Sequence, residues 1–167
     1  MIEKILRNSI VINSSIVFSI FLIDRISKIS VISLDKKFLG SEIFSSKFLN
    51  IYLVWNEGIA FGLFSSNDSN FYNIITFLII LIIMILFYMI TQSQGLQKYS
   101  LFMILGGAIG NAFDRILYKS VPDFIDFHIN EFHWFIFNVA DIFITIGVIC
   151  MILTELIASN KKKHEDI

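Results

Sequence analysis

Long apolar runs broken by short polar stretches fill this chain. Four of them reach the length a membrane-crossing helix needs, about 20 residues at about 1.5 Å each for a hydrocarbon core about 30 Å thick. They extend from Ile10 to Ile32, from Phe71 to Ile90, from Tyr99 to Leu117 and from Phe135 to Ala158. The segment 34–70 breaks the pattern, because Phe48-Leu-Asn-Ile-Tyr-Leu-Val-Trp55 is rich in the aromatic and β-branched residues that strands favour. The expected architecture is an all-α membrane protein: a four-transmembrane-helix bundle with a small extracytoplasmic β-rich cap, in one domain over residues 1–167.

Lys4 and Arg7 precede the first apolar run, as they would in a cleavable signal peptide, but no convincing small-x-small cleavage site follows, so the run is read as a retained span. An even number of spans puts both termini on one side. The density of Lys4, Arg7, Lys98 and Lys161 to Lys163 along the short segments places that side in the cytoplasm, although the raw count of basic residues does not. The aromatic cap, with Phe61 and Phe64 following it, suits either a platform on the headgroup region or a buried core of its own.

Composition agrees with a lipid environment: 56% of residues are apolar and 16% charged, against about 45–50% and about 25% in soluble domains. A net charge of −1 supplies no basic field, which excludes nucleic acid as a partner. Cys150, the only cysteine, excludes an internal disulfide.

Charge in a spanning helix is costly, so its placement is informative. In an up-and-down bundle, Asp24, Arg25 and Lys28 near the end of the first span, Asp114 and Arg115 at the end of the third, and Asp141 near the start of the fourth fall in one layer. Asp123 and Asp126 in the connection after the third span join it, and the opposite layer has little beyond Glu155. Some of these residues simply mark helix ends, and Asp24 can pair with Lys28 at i,i+4. Asp141 can be a functional acid or a residue favoured near a helix N-terminus by the macrodipole, with Asn138 one turn before it on the same face. Gly106 and Gly110, spaced G-x-x-x-G, read as a helix contact. His128 and His133 lie near Asp123, Asp126 and Glu131, but their i,i+5 spacing matches no H-E-x-x-H helix, so neither metal nor cofactor is expected and the histidines are read as interfacial polar residues.

Five stretches in order carry a resemblance that covers essentially the whole chain: Asp24-Arg-Ile-Ser-Lys28, Asn56-Glu-Gly-Ile-Ala-Phe-Gly62, Gly106-Gly-Ala-Ile-Gly-Asn-Ala-Phe-Asp-Arg115, Val121-Pro-Asp-Phe124 and Phe137-Asn-Val-Ala-Asp141. Together they resemble the bacterial lipoprotein signal peptidases, or type II signal peptidases. The resemblance implies an aspartic endopeptidase of the bacterial cytoplasmic membrane that cuts diacylglyceryl-modified prolipoproteins just before the lipidated cysteine. It implies a catalytic pair of Asp123 and Asp141, with Asp24, Lys28, Asn56, Gly58, Asn111, Arg115 and Asn138 orienting the pair or binding substrate, and Asp114 outside the pair. It also implies an active site at the extracytoplasmic face, membrane lipid as a partner and inhibition by globomycin. One departure is Pro122, where the family usually has a second Val; proline removes an N–H from the stretch that presents Asp123.

Two close carboxylates can share one proton, so that one activates water while the other protonates the developing oxyanion, with no covalent intermediate. A cap bearing Phe61 and Phe64 would close over the acyl chains as a lid. The rival readings are a small ion- or proton-coupled carrier and a non-catalytic membrane scaffold; the nearly pure Ile, Leu, Phe and Met of the inward half of each span counts against a carrier.

Overall fold

Aromatic and β-branched runs at two separate places in the chain build one sheet, and the apolar runs around them build the helices that carry it. The computed structural model describes residues 2–58 and 69–165. The helices are α1 (Ile2–Lys37), α2 (Ser69–Gln92), α3 (Gly95–Tyr118) and α4 (Val139–Glu165). The strands are β1 (Phe44–Ser45), β2 (Leu49–Asn56), β3 (Val121–Ile129) and β4 (Phe132–Phe137), antiparallel throughout in the order β1-β2-β3-β4. Phe61 and Phe64, the expected lid residues, lie outside the described residues.

Two differences from the sequence expectation matter for the site. Phe135 does not open the fourth helix: Phe132-His-Trp-Phe-Ile-Phe137 is a strand paired with β3, and α4 begins at Val139. The cap therefore does not come from segment 34–70 alone, because the stretch after α3 folds back as a hairpin and supplies half of the sheet. The hairpin turns at Asn130-Glu131, where Asn130 takes a positive φ of 53°, a conformation asparagine tolerates well.

Among the described residues, three segments are long and apolar enough to cross a membrane: Asn73–Gln92, Gly95–Tyr118 and Val139–Ser159. α1 differs because Asp24, Arg25 and Lys28 interrupt it, yet all three are buried against other elements rather than turned to lipid. Helix α3 is central, packed on α4, α1 and α2. Its glycines permit that: a Cβ at Gly106 would lie 3.0 Å from the Ile20 side chain, and one at Gly107 only 2.5 Å from the Ala140 carbonyl oxygen. Gly147 on α4 makes the reciprocal approach, 2.8 Å from the Ser100 carbonyl oxygen. The helix contact expected of Gly106 and Gly110 is thus present, with Gly106 and Gly110 against α1 and Gly107 against α4. Leu86, Ile90, Leu101, Phe102, Ile104 and Leu105 form the apolar core where α2 meets the first half of α3. The outer faces of α2 and α4 expose Phe77, Ile82, Phe87, Ile149, Leu153 and Ile157, as a lipid-facing surface would.

Candidate active site

The second half of α3 reverses the character of the first. There α1, α3, the start of α4 and the sheet converge on a buried polar network. Asp24 and Lys28, one helical turn apart on α1, are both fully buried, and Lys28 Nζ lies 2.9 Å from Asp24 Oδ1. The ammonium also donates to Asn111 Oδ1 at 2.8 Å and Asp114 Oδ2 at 2.7 Å, both on α3. Arg25 closes the cluster through Asp24 at 3.0 Å and Asp114 at 2.5 Å. Two carboxylates thus face two cations, so the cluster is neutral as a unit, the condition under which buried charge is tolerated.

The cluster fixes the start of α4. Asp24 Oδ1 accepts the Ala140 backbone N–H at 3.0 Å, one of the free donors of the first helical turn. Asn138 is the N-cap: its Oδ1 accepts the Asp141 N–H at 3.1 Å while Asp141 Oδ2 accepts the Asn138 N–H at 3.1 Å, a reciprocal capping box. Asn138 therefore precedes the helix rather than sharing a helical face with Asp141. The other Asp141 oxygen, Oδ1, accepts from Asn111 Nδ2 at 2.8 Å. Lys28 holds the carbonyl end of that same amide, which fixes which end meets the carboxylate.

Asp123 arrives from the sheet. β3 pairs with β2 so that Asp123 lies opposite Val54 and Pro122 opposite Trp55. Pro122 is fully buried and the strand continues through it. Asp123 Oδ1 accepts from Asn138 Nδ2 at 2.6 Å and Oδ2 from Asn56 Nδ2 at 2.8 Å. Asn56 Oδ1 in turn accepts the Gly58 N–H at 3.0 Å, and Arg115 donates to the Gly58 carbonyl. All nine residues singled out in the sequence fall in one connected arrangement, with Asn138 bonded to both Asp123 and Asp141.

Burial raises the Asp123 carboxyl to about 6, and the charge of Asp141 adds to the effect. The hydrogen bonds from Asn138 and Asn56 and the charge of Lys28 oppose it. Asp123 thus becomes a group able to hold a proton close to neutral pH. A polarised carboxyl and a hydrogen-bonded carboxylate linked by one amide can divide acid and base work on a water molecule.

Sequence reasoning left two contributions unassigned. Asp114 is the second counter-ion of Lys28, and Arg25 balances the extra carboxylate. Charge neutrality was the available signal, since a lysine with one aspartate leaves the other two ions without partners.

Residues 16–157 match the family model described as signal peptidase (SPase) II. The chain is 48% identical over 163 residues to the lipoprotein signal peptidase of Pelagibacter ubique, covering 98% of each chain. It is 39% identical over 140 residues to that of Anaplasma marginale, covering 82% of this chain and 79% of the other. Two solved structures, each described as a bacterial membrane enzyme determined by the in meso method, superpose with TM-scores of 0.73 and 0.71 at 30% and 32% identity. They cover 90% and 86% of this chain, and the matches span 90% and 92% of theirs.

Proposed function

Because the chain belongs to the signal peptidase II family, and is therefore a membrane protease that removes signal peptides from prolipoproteins, we propose that Asp123 and Asp141 are its catalytic pair. The observation that carries this assignment is Asn138, whose side chain binds Asp123 and whose backbone and amide oxygen bind Asp141. One residue thereby ties the sheet's carboxylate to the helix's carboxylate. In the reaction, the ionised member takes a proton from water as its oxygen attacks the scissile carbonyl, and the protonated member donates to the oxyanion. Collapse of the resulting diol breaks the C–N bond, and the new amine takes up the proton the base acquired. The two roles are interchangeable between the carboxyls.

The remaining predicted residues divide between holding the pair and receiving substrate. Asp24, Lys28 and Asn111 orient Asp141, Asn56 and Asn138 orient Asp123, and Arg115 fixes Gly58, beside which an extended peptide can lie. Four spans, α1 included, put both termini in the cytoplasm and the pair at the extracytoplasmic face of the bacterial cytoplasmic membrane. Phe44, Phe132 and Trp134, exposed on the sheet, and Phe48, exposed in the β1–β2 turn, favour a cap resting in the headgroup region over one with a core of its own. A signal helix crossing the bilayer then presents its cleavage site to the pair while diacylglyceryl chains remain in the outer leaflet. Globomycin is expected to occupy the same place. The carrier and scaffold readings fall with the family assignment.

The test is mass spectrometry of the products from a diacylglyceryl-modified prolipoprotein. Cleavage just before the lipidated cysteine, blocked by globomycin and absent when the cysteine is unmodified, supports this account. Equal cleavage of the unlipidated precursor, or cleavage at another bond, contradicts it.

A further inference from the structure

The β3–β4 hairpin carries a second cluster that the peptidase chemistry does not use. Asp126 and His128 alternate with exposed residues along β3, so both point to the buried face, and His133 on β4 is the register partner of His128. An i,i+5 spacing that means nothing on a helix thus puts two imidazoles face to face on a hairpin, their ring centroids 4.9 Å apart. We propose that Asp126, His128 and His133 form a binding site for a divalent transition-metal ion of the zinc class.

Three observations support it. A ligand atom from each residue lies within 4.8 Å of those of the others. Ligands around tetrahedral zinc at about 2.0–2.1 Å stand roughly 3.4 Å apart, so closure requires a shift of about an ångström or a little more. His133 can make that shift, because its side chain is 51% exposed. Second, one partner is already in place: Asp126 is fully buried, lies 2.8 Å from His133 Nδ1, and receives a hydrogen bond from Tyr52. A carboxylate fixed by an outer hydroxyl is the usual support of a metal ligand. Third, His128 is more than nine-tenths buried, and its Nδ1 has no hydrogen-bond partner among the described residues. Imidazole with an unused nitrogen suits zinc better than it suits a dry interior. The contrast with Asp24, Arg25, Lys28 and Asp114 is direct, because those four neutralise one another and leave no demand for an added ion. Three protein ligands leave a fourth position for water. The ion would pin the end of β3 to β4 in the same strand that presents Asp123, acting as a staple rather than as part of the cleavage site.

The experiment is calorimetric titration of the detergent-solubilised full chain, freed of any affinity tag, with zinc chloride. Cobalt(II) absorption gives a second readout. The proposal predicts one equivalent bound and cobalt bands of a low-symmetry N/O site. His128→Ala and His133→Ala should each weaken binding by at least the ~10–100-fold that loss of even an outer partner costs. Zinc should raise the thermal midpoint of the parent and not of His133→Ala. Cleavage in EDTA at the parent's rate shows that the variants are folded, and the exposed His133 keeps the test open if His128→Ala is not. Absence of binding to the parent, or unchanged affinity in His133→Ala, overturns the proposal.

Discussion

The two halves of α3 solve opposite problems. From Ser100 to Leu105 the helix is buried among Leu86, Ile90 and other apolar side chains, where shape and volume decide stability and no partner is unique. From Gly106 to Arg115 it packs among Asp24, Lys28, Asn138 and the sheet, where polar side chains hold one another in a hydrogen-bonded network and losing one leaves another unsatisfied in a dry interior. The apolar half should tolerate change at some cost in stability. The polar half should lose chemistry first, even where the fold survives.

That difference can be broken from either side. The largest effect belongs to Asp141→Asn, which keeps the size of the side chain while removing the ionisable carboxyl. Turnover of lipidated substrate should fall by at least ~10³-fold with the circular dichroism spectrum unchanged. Lys28→Met comes next, because it leaves Asp24 and Asp114 sharing only Arg25. Denaturation in detergent should show a loss of about 3–5 kcal/mol, the cost of breaking a buried ion pair from one side. In the apolar half, Leu101→Ala removes a fully buried side chain. It should cost about 2–5 kcal/mol while cleavage per folded molecule stays at the parent's value.

The smallest effect is a displaced pH profile. With the Asp123 carboxyl raised to about 6, the pair gives up its shared proton and cleavage declines on the alkaline side of that value. The stability this raised carboxyl contributes is complete below the ordinary carboxylate range and gone above about 6. Asn56→Ala removes a hydrogen bond that favours the ionised form, so the alkaline limb should move to higher pH. A limb that stays in place would detach Asn56 from the proton's energetics.

The same contrast explains what could be read in advance. Helices α2, α3 and α4 follow from unbroken apolar length, a property hydropathy records directly. The β3–β4 hairpin was hidden because Phe135-Ile-Phe137 runs straight into the apolar start of α4, and hydropathy does not distinguish a strand from a helix there. The polar residues of the site were legible through the order of five short motifs. Their wiring was not, since Lys28 meets Asn111 and Asp114 only after α1 and α3 pack. Asn138 could be seen as a partner of Asp141 but not as its N-cap, because that depends on where the helix starts.

The most direct test of the central claim compares Asp123→Asn with Asp114→Asn in the same cleavage assay, with rates normalised to folded protein. Both residues are buried aspartates near one layer, but only Asp123 joins the Asn138-bridged pair, whereas Asp114 neutralises Lys28 and Arg25. The account predicts that Asp123→Asn is folded and slower by at least ~10³-fold, whereas Asp114→Asn is less stable yet keeps its rate per folded molecule within about tenfold. Near-parental cleavage by Asp123→Asn, or a fully folded and inactive Asp114→Asn, would contradict it.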